Sequence, residues 1–131
     1  MRVKFSYSVF HGIKVPIIPI EIEGADGWYR IPVFVDSGAT FSIMDEAVAS
    51  VIGIDYKKGK RMEVTVGDGA SIPVFRHLLA VRIGLKQFTA TIGFSPALKV
   101  GFNLLGRKDF FEQFRVCFSD QYQEITFTEL R

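Results

Sequence analysis

Residues Val33 to Met44 read V-F-V-D-S-G-A-T-F-S-I-M, and no other stretch constrains the fold as tightly. An apolar run ends on Asp36, a Ser37-Gly38 turn follows, and apolar residues resume after it. Burying an unpaired carboxylate is costly, so an acid at the end of a strand interior needs a compensating role. A structural hydrogen bond, a metal or catalysis would each supply one. The metal is disfavoured, because His11 and His77 stand far apart and neither belongs to a ligand-spaced motif.

With 131 residues the chain is expected to form one domain over 1–131, long enough to bury a core. It is 48% hydrophobic and carries 13 Phe, which argues for a folded chain rather than a disordered one. The formal charge of +2 is spread out. The short basic groups at Lys57-Lys58, Lys60-Arg61 and Arg107-Lys108 read as a solvated face, not as the dense stripe that nucleic acid requires. The single cysteine, Cys117, rules out an intrachain disulfide, and its place in the apolar run Phe114–Phe118 predicts a buried, inert thiol. No metal and no cofactor is expected. The N-terminus alternates polar and apolar residues, which is a strand pattern and not the core of a signal peptide. No apolar run reaches transmembrane length, so no membrane insertion is expected. The expectation is a soluble, cytoplasmic protein or a domain of a longer chain.

The periodicity predicts a mostly-strand molecule with one or two short helices. Strands are expected at Lys4–Phe10 and Val15–Glu23, with a tight reversal over residues 24–27 and a return at Trp28–Val35. Met44, Val48, Val51 and Ile52 share one helical face, with Gly53 placed to stop the helix. Met62–Val66 and Ile72–Phe75 alternate about Gly67-Asp68-Gly69, a hairpin with a glycine-rich tip. A second strand pair is expected at Leu78–Leu85 and Phe88–Phe94, then an apolar segment ending Leu104-Leu105-Gly106 and a short helix over Arg107–Gln113. Arg115–Phe118 and Glu124–Phe127 close the chain as strands. Many short strands suggest an all-β barrel or closed sandwich.

The D-S-G-A tetrapeptide after an apolar strand resembles the active-site signature of aspartic peptidases, and the shortness of the chain points to their retropepsin-like branch. The longer segment D-S-G-A-T-F-S-I-M-D-E-A-V-A-S-V-I-G-I is similar to the family pattern of turn, strand, helix and glycine. The hairpin at Val64–Val74 stands where the family carries its flap. F-N-L-L-G-R-K-D-F-F resembles the family's second signature. The single D-[ST]-G departs from two-lobed pepsins and agrees with the half-sized, dimeric branch. This resemblance implies the closed, barrel-like acid-protease fold.

It also implies a chemistry. Hydrolysis of a peptide bond without metal or covalent intermediate needs a base to activate water and an acid to protonate the leaving nitrogen. Two facing carboxylates supply both by sharing one proton. With one Asp36 per chain, the second carboxylate would come from Asp36 of a twofold-related copy in a homodimer. By resemblance, the Ser37 hydroxyl would brace the two loops, Gly38 would let the backbone turn, and Ala39 and Thr40 would line the cleft. Gly67, Asp68 and Gly69 would close over an extended peptide or protein substrate, held partly by its main chain. Leu104, Leu105, Gly106 and Arg107 would support the loop. Retroviral members often carry Asp where this chain has Thr40, and that acid pairs with the arginine after the second glycine. Here Asp109 or another acid takes its place, or the dimer contacts differ. The alternative functions are a catalytically weak or inactive dimerisation or peptide-binding module of the same fold, and an unrelated small barrel in which Asp36 is structural.

Overall fold

The computed structural model describes residues 1–130, and alternating apolar residues lay down its first strands. Strand β1 (Arg2–Ser6) and β2 (Ser8–Phe10) occupy the segment expected as one strand. Tyr7 separates them: its N–H donates to Gln123 O at 2.8 Å and its hydroxyl to Asp120 Oδ1 at 2.8 Å. The chain therefore leaves one sheet at Tyr7 and enters another. β2 pairs with β3 (Ile13–Val15) across His11 and Gly12, whose φ values of 50° and 76° are the pair of positive angles a type I′ turn needs.

β4 (Ile17–Gly24) and β5 (Gly27–Val35) form the expected antiparallel pair, Gly24 opposite Gly27. Ile18, Ile20 and Ile22 on one strand and Ile31, Val33 and Val35 on the other are buried, as strand alternation requires. Beyond the D-S-G segment come β6 (Ser42–Asp45) and helix α1 (Glu46–Ile52). The helix starts two residues later than its periodicity suggests, because Met44 is taken into β6, parallel to β9 (Lys86–Ser95). Asp45 Oδ2 caps α1 by accepting the Ala47 N–H at 2.9 Å, and Gly53 ends it at φ 80°. Val48, Ala49 and Ile52 form the buried face, whereas Val51, expected with them, points to solvent. A 3₁₀ turn over Tyr56–Lys58 follows, which the sequence did not suggest.

β7 (Lys60–Thr65) and β8 (Ser71–Ile83) make the glycine-tipped hairpin. The two strands expected at Ile72–Phe75 and Leu78–Leu85 are one continuous strand. Its first half pairs with β7, and its second half reaches β4 through Glu21–Arg82 and Ile22–Val81. That pairing closes the seven-stranded sheet, ordered β4-β5-β10-β6-β9-β8-β7, into a ring, with β10 being Leu104–Leu105. β11 (Phe114–Ser119) and β12 (Glu124–Glu129) complete a three-stranded sheet ordered β1-β12-β11. The main core fills the ring, with Phe94, Phe110, Phe114 and Phe127 fully buried.

The molecule is therefore all-β, closed and barrel-like, with one short α-helix. Two further expectations fail. Arg107–Gln113 is a series of turns rather than a helix, because Asp109 adopts φ 68° and its carboxylate reaches across to the Thr91 N–H at 2.7 Å. Cys117 is exposed, not buried: in β11 it falls in phase with Arg115, while Phe114 points inward. Among the described residues no helix is long and apolar enough to cross a membrane.

Candidate active site

Asp36 follows the last residue of β5, and three backbone hydrogen bonds settle its approach. Phe34 N–H donates to Asn103 O at 2.7 Å, Val35 N–H to Pro16 O at 2.9 Å, and Asp36 N–H to Leu105 O at 2.9 Å. The last two residues of β5 are also in parallel register with β10, Leu104 beside Phe34 and Leu105 beside Val35. The two segments singled out in the sequence, D-S-G and L-L-G, are thus neighbours in space, and the second holds the first. Gly106 shows how closely they pack: a Cβ there would stand 2.4 Å from Phe41 O, backbone that cannot swing aside.

The loop itself is a tight turn. Ala39 N–H donates to Asp36 O at 3.1 Å, and Gly38 N–H to the carboxylate oxygen Asp36 Oδ1 at 2.9 Å. A Cβ on Gly38 would lie 3.2 Å from that same oxygen, a tight contact. The half-buried Asp36 side chain thus has one oxygen held by its own loop. Two further backbone bonds, Arg107 N–H to Ala39 O and Lys108 N–H to Thr40 O, both 2.9 Å, fasten the far side.

Asp36, Gly38, Ala39 and Thr40 open onto a cleft of about 1090 Å³. Its other wall is the β7–β8 hairpin, contributing Val64, Val66, Gly67 and Asp68, and Leu98 and Val100 close its end. Ser37 and Gly69 lie outside the lining, and Leu105, Gly106 and Arg107 stand behind it as support. The hairpin tip is a built turn: Asp68 Oδ1 accepts the Ala70 N–H at 2.8 Å, and Gly69 sits at φ 88°. Ile43, Ile72 and Val74 form a second buried cluster beneath the cleft, with Phe41 and Leu98 packed against it. The walls are mainly apolar, and Asp36 brings a carboxylate to them.

The stretch that carries the acid-bearing turn and the hairpin over the cleft matches a known sequence profile. The aspartyl protease profile matches residues 18–97, more than half of the chain. The chain belongs to the aspartyl protease family. Its fold is similar to that of a retropepsin-like aspartic protease from Rickettsia conorii, at TM-score 0.70 and 18% identity, over 97% of this chain and 90% of that one. It is also similar to the EIAV protease complexed with the inhibitor HBY-793, at TM-score 0.55 and 18% identity, over 76% of this chain and 88% of that one. At such identity these likenesses speak to the fold. No curated protein matches the sequence significantly.

The geometry of the loop answers the question raised by Thr40. Arg107 Nη2 donates to Thr40 Oγ1 at 3.3 Å, so the guanidinium meets a neutral hydroxyl at this position and not a carboxylate. Asp109 does not replace the missing acid, since its carboxylate is engaged with Thr91 N–H. Sequence reasoning passed over two residues that assemble the site. Buried Ser42 accepts the Gly106 N–H on its Oγ at 3.0 Å. Asn103 accepts Asp45 N–H at 2.9 Å on Oδ1 and donates from Nδ2 to Pro32 O at 3.0 Å. The signal for Asn103 was its place inside F-N-L-L-G; a serine after the D-S-G turn carries none.

Proposed function

We propose that residues 1–131 form one domain acting as a homodimeric aspartic endopeptidase, with Asp36 of each chain forming the catalytic dyad. The observation that carries this reading is Asp36 itself, a carboxylate at the end of a buried strand that opens on a mainly apolar, peptide-sized cleft. One carboxylate cannot serve as base and acid at once. Asp36 of the partner subunit supplies the second, and the two share a proton. One takes a proton from water as its oxygen attacks the scissile carbonyl, and the other protonates the departing nitrogen. Ser37 braces the paired loops, Ala39 and Thr40 line the cleft, and the Gly67-Asp68-Gly69 tip acts as a flap over an extended substrate. Leu104, Leu105, Gly106 and Arg107 hold the loop from behind.

The test is incubation with a mixed peptide library from acidic to neutral pH, beside Asp36→Asn. Cleavage by the wild type is expected, with a loss on the order of a thousandfold or more in the variant, which remains a dimer. Cleavage unchanged by Asp36→Asn would overturn the reading. Thr40, a hydroxyl and not a carboxylate against Arg107, favours one alternative, a dimerisation or peptide-binding module of the same fold with little turnover. That module would bind peptides without releasing products, equally well with Asn at position 36.

A further inference from the structure

Where the ring of strands closes, three charged side chains stand in a row across it. Glu21 of β4 is opposite Arg30 of β5 on one side and opposite Arg82 of β8 on the other. Directly opposed residues share a face. Their strand neighbours Ile20, Ile22, Ile31, Val81 and Ile83 are buried, so the three charges lie on the outer face of the ring. Beside them is a cavity of about 280 Å³, lined by Phe5, Pro19, Glu21, Arg30, Arg82 and Gly84. It shares no lining residue with the cleft beside Asp36.

The row is more than a staple for the closure. Glu21 and Arg82 alone would make that staple, since Arg82 Nη2 donates to Glu21 Oε2 at 2.9 Å. Trp28 fixes the same guanidinium a second time, its ring centroid 3.8 Å from Arg82 Cζ. Arg30 adds a second positive charge to the cavity, and among the described residues no ion pair engages it. Arg82 Nε is buried and finds no acceptor among the described residues, which is costly for a polar group. The cavity therefore holds two guanidiniums against one carboxylate, with most of their N–H donors unspent.

We propose that this cavity binds a small oxyanion, a carboxylate or a phosphate, held between Arg30 and Arg82. The planar donor fork of a guanidinium matches both groups. Glu21 does not shut the ligand out. Its side chain is 42% exposed and that of Arg82 31%, and an ion pair so open to water is weakly held. Arg82 can share its fork with the ligand while staying on Trp28. Glu21 instead limits the affinity, because it repels the ligand and takes one donor, and this sets binding in the millimolar range. Phe5 and Pro19 give the cavity apolar walls for a short hydrocarbon body, and its size is below that of pockets for drug-sized ligands. The site is built by one chain and needs no second copy.

The test is an NMR titration of isotope-labelled protein with butyrate or inorganic phosphate, beside chloride at equal ionic strength. Trp28 is the only tryptophan, so its indole N–H gives a single signal next to Arg82. A saturable shift of that signal is expected at millimolar oxyanion and not with chloride. A response to only one of the two would support the site and name its oxyanion. Arg30→Gln, on the exposed face, is expected to weaken binding about tenfold or more. Glu21→Gln, which removes the competing carboxylate, is expected to tighten it. Shifts with both oxyanions no different from those with chloride would overturn the proposal. So would an Arg30→Gln protein that binds as tightly as the wild type, or a folded Glu21→Gln protein that binds more weakly.

Discussion

Ser42 is a small group on which much of the site depends. Its buried hydroxyl accepts the Gly106 N–H, and that amide follows the carbonyl that holds Asp36. Ser42→Ala leaves the N–H buried without a partner, an expected cost of about 1–3 kcal/mol, read as a lower urea midpoint with the same slope. Gly106→Ala is expected to cost more, because its methyl meets Phe41 backbone at 2.4 Å and no flexible side chain can yield. The reverse order of the two midpoints would show that the hydrogen bond, not the close crossing, holds these strands together. Asp36, Gly38 and Gly106 were legible in the sequence because each belongs to a local pattern of turn or strand end. Ser42 was not, since its partner lies 64 residues away and a serine after a turn has many blander uses.

At the scale of elements, the strands that alternate were legible and those that share partners were not. β8 was divided in two because its outer face changes neighbour from β7 to β4 midway, which no local period records. The residues after Gly106 have helical composition, but Asp109 leaves helical geometry to bond β9, and Phe110 is buried as a result. Tyr7 marks a similar break, and it yields a pH prediction. Burial first, then the hydrogen bond to Asp120 and its negative charge, push the Tyr7 phenol from 10.0 up to about 12. The fold thus favours the neutral phenol. This contribution is complete below pH 10 and lost as pH rises through about 12. Wild type is expected to lose stability in that window more steeply than Tyr7→Phe, and equal slopes in urea midpoint against pH would remove the assignment. The hairpin tip gives a second test. A Cβ on Gly67 meets nothing within 4 Å and its φ is ordinary, so Gly67→Ala is expected to leave stability unchanged. If the tip closes on substrate, the added methyl obstructs it, and kcat/KM is expected to fall about tenfold or more. Unchanged cleavage would mean that substrate does not approach the tip backbone.

In the dimeric reading proposed above the whole molecule presents half of an active site, which makes concentration a variable of both stability and catalysis. The family was legible from D-S-G and L-L-G because their meeting in space is what the ring of strands accomplishes, Leu105 beside Val35 and its carbonyl on Asp36 N–H. The route of the ring's closure was not, since it depends on β4 meeting β8, about 60 residues apart. Two copies that complete one cleft bind each other in the folded state and not in the unfolded one, so mass action must stabilise the pair as protein concentration rises. The expected outcome is a Tm that climbs with the logarithm of concentration, together with specific activity that falls on dilution as dimer is lost. Joining two copies by a flexible linker replaces the bulk concentration with a local one in the millimolar range. The linked protein is then expected to show a Tm and a specific activity that no longer vary with dilution. The linked molecule also separates chemistry from assembly. Asp36→Asn in one half alone leaves association intact but removes one of the two carboxylates, and cleavage is expected to fall nearly as far as with both replaced. If the half-substituted molecule instead kept half of the wild-type rate, each Asp36 would be working alone, and the shared-proton dyad would have to be given up even though dimerisation held.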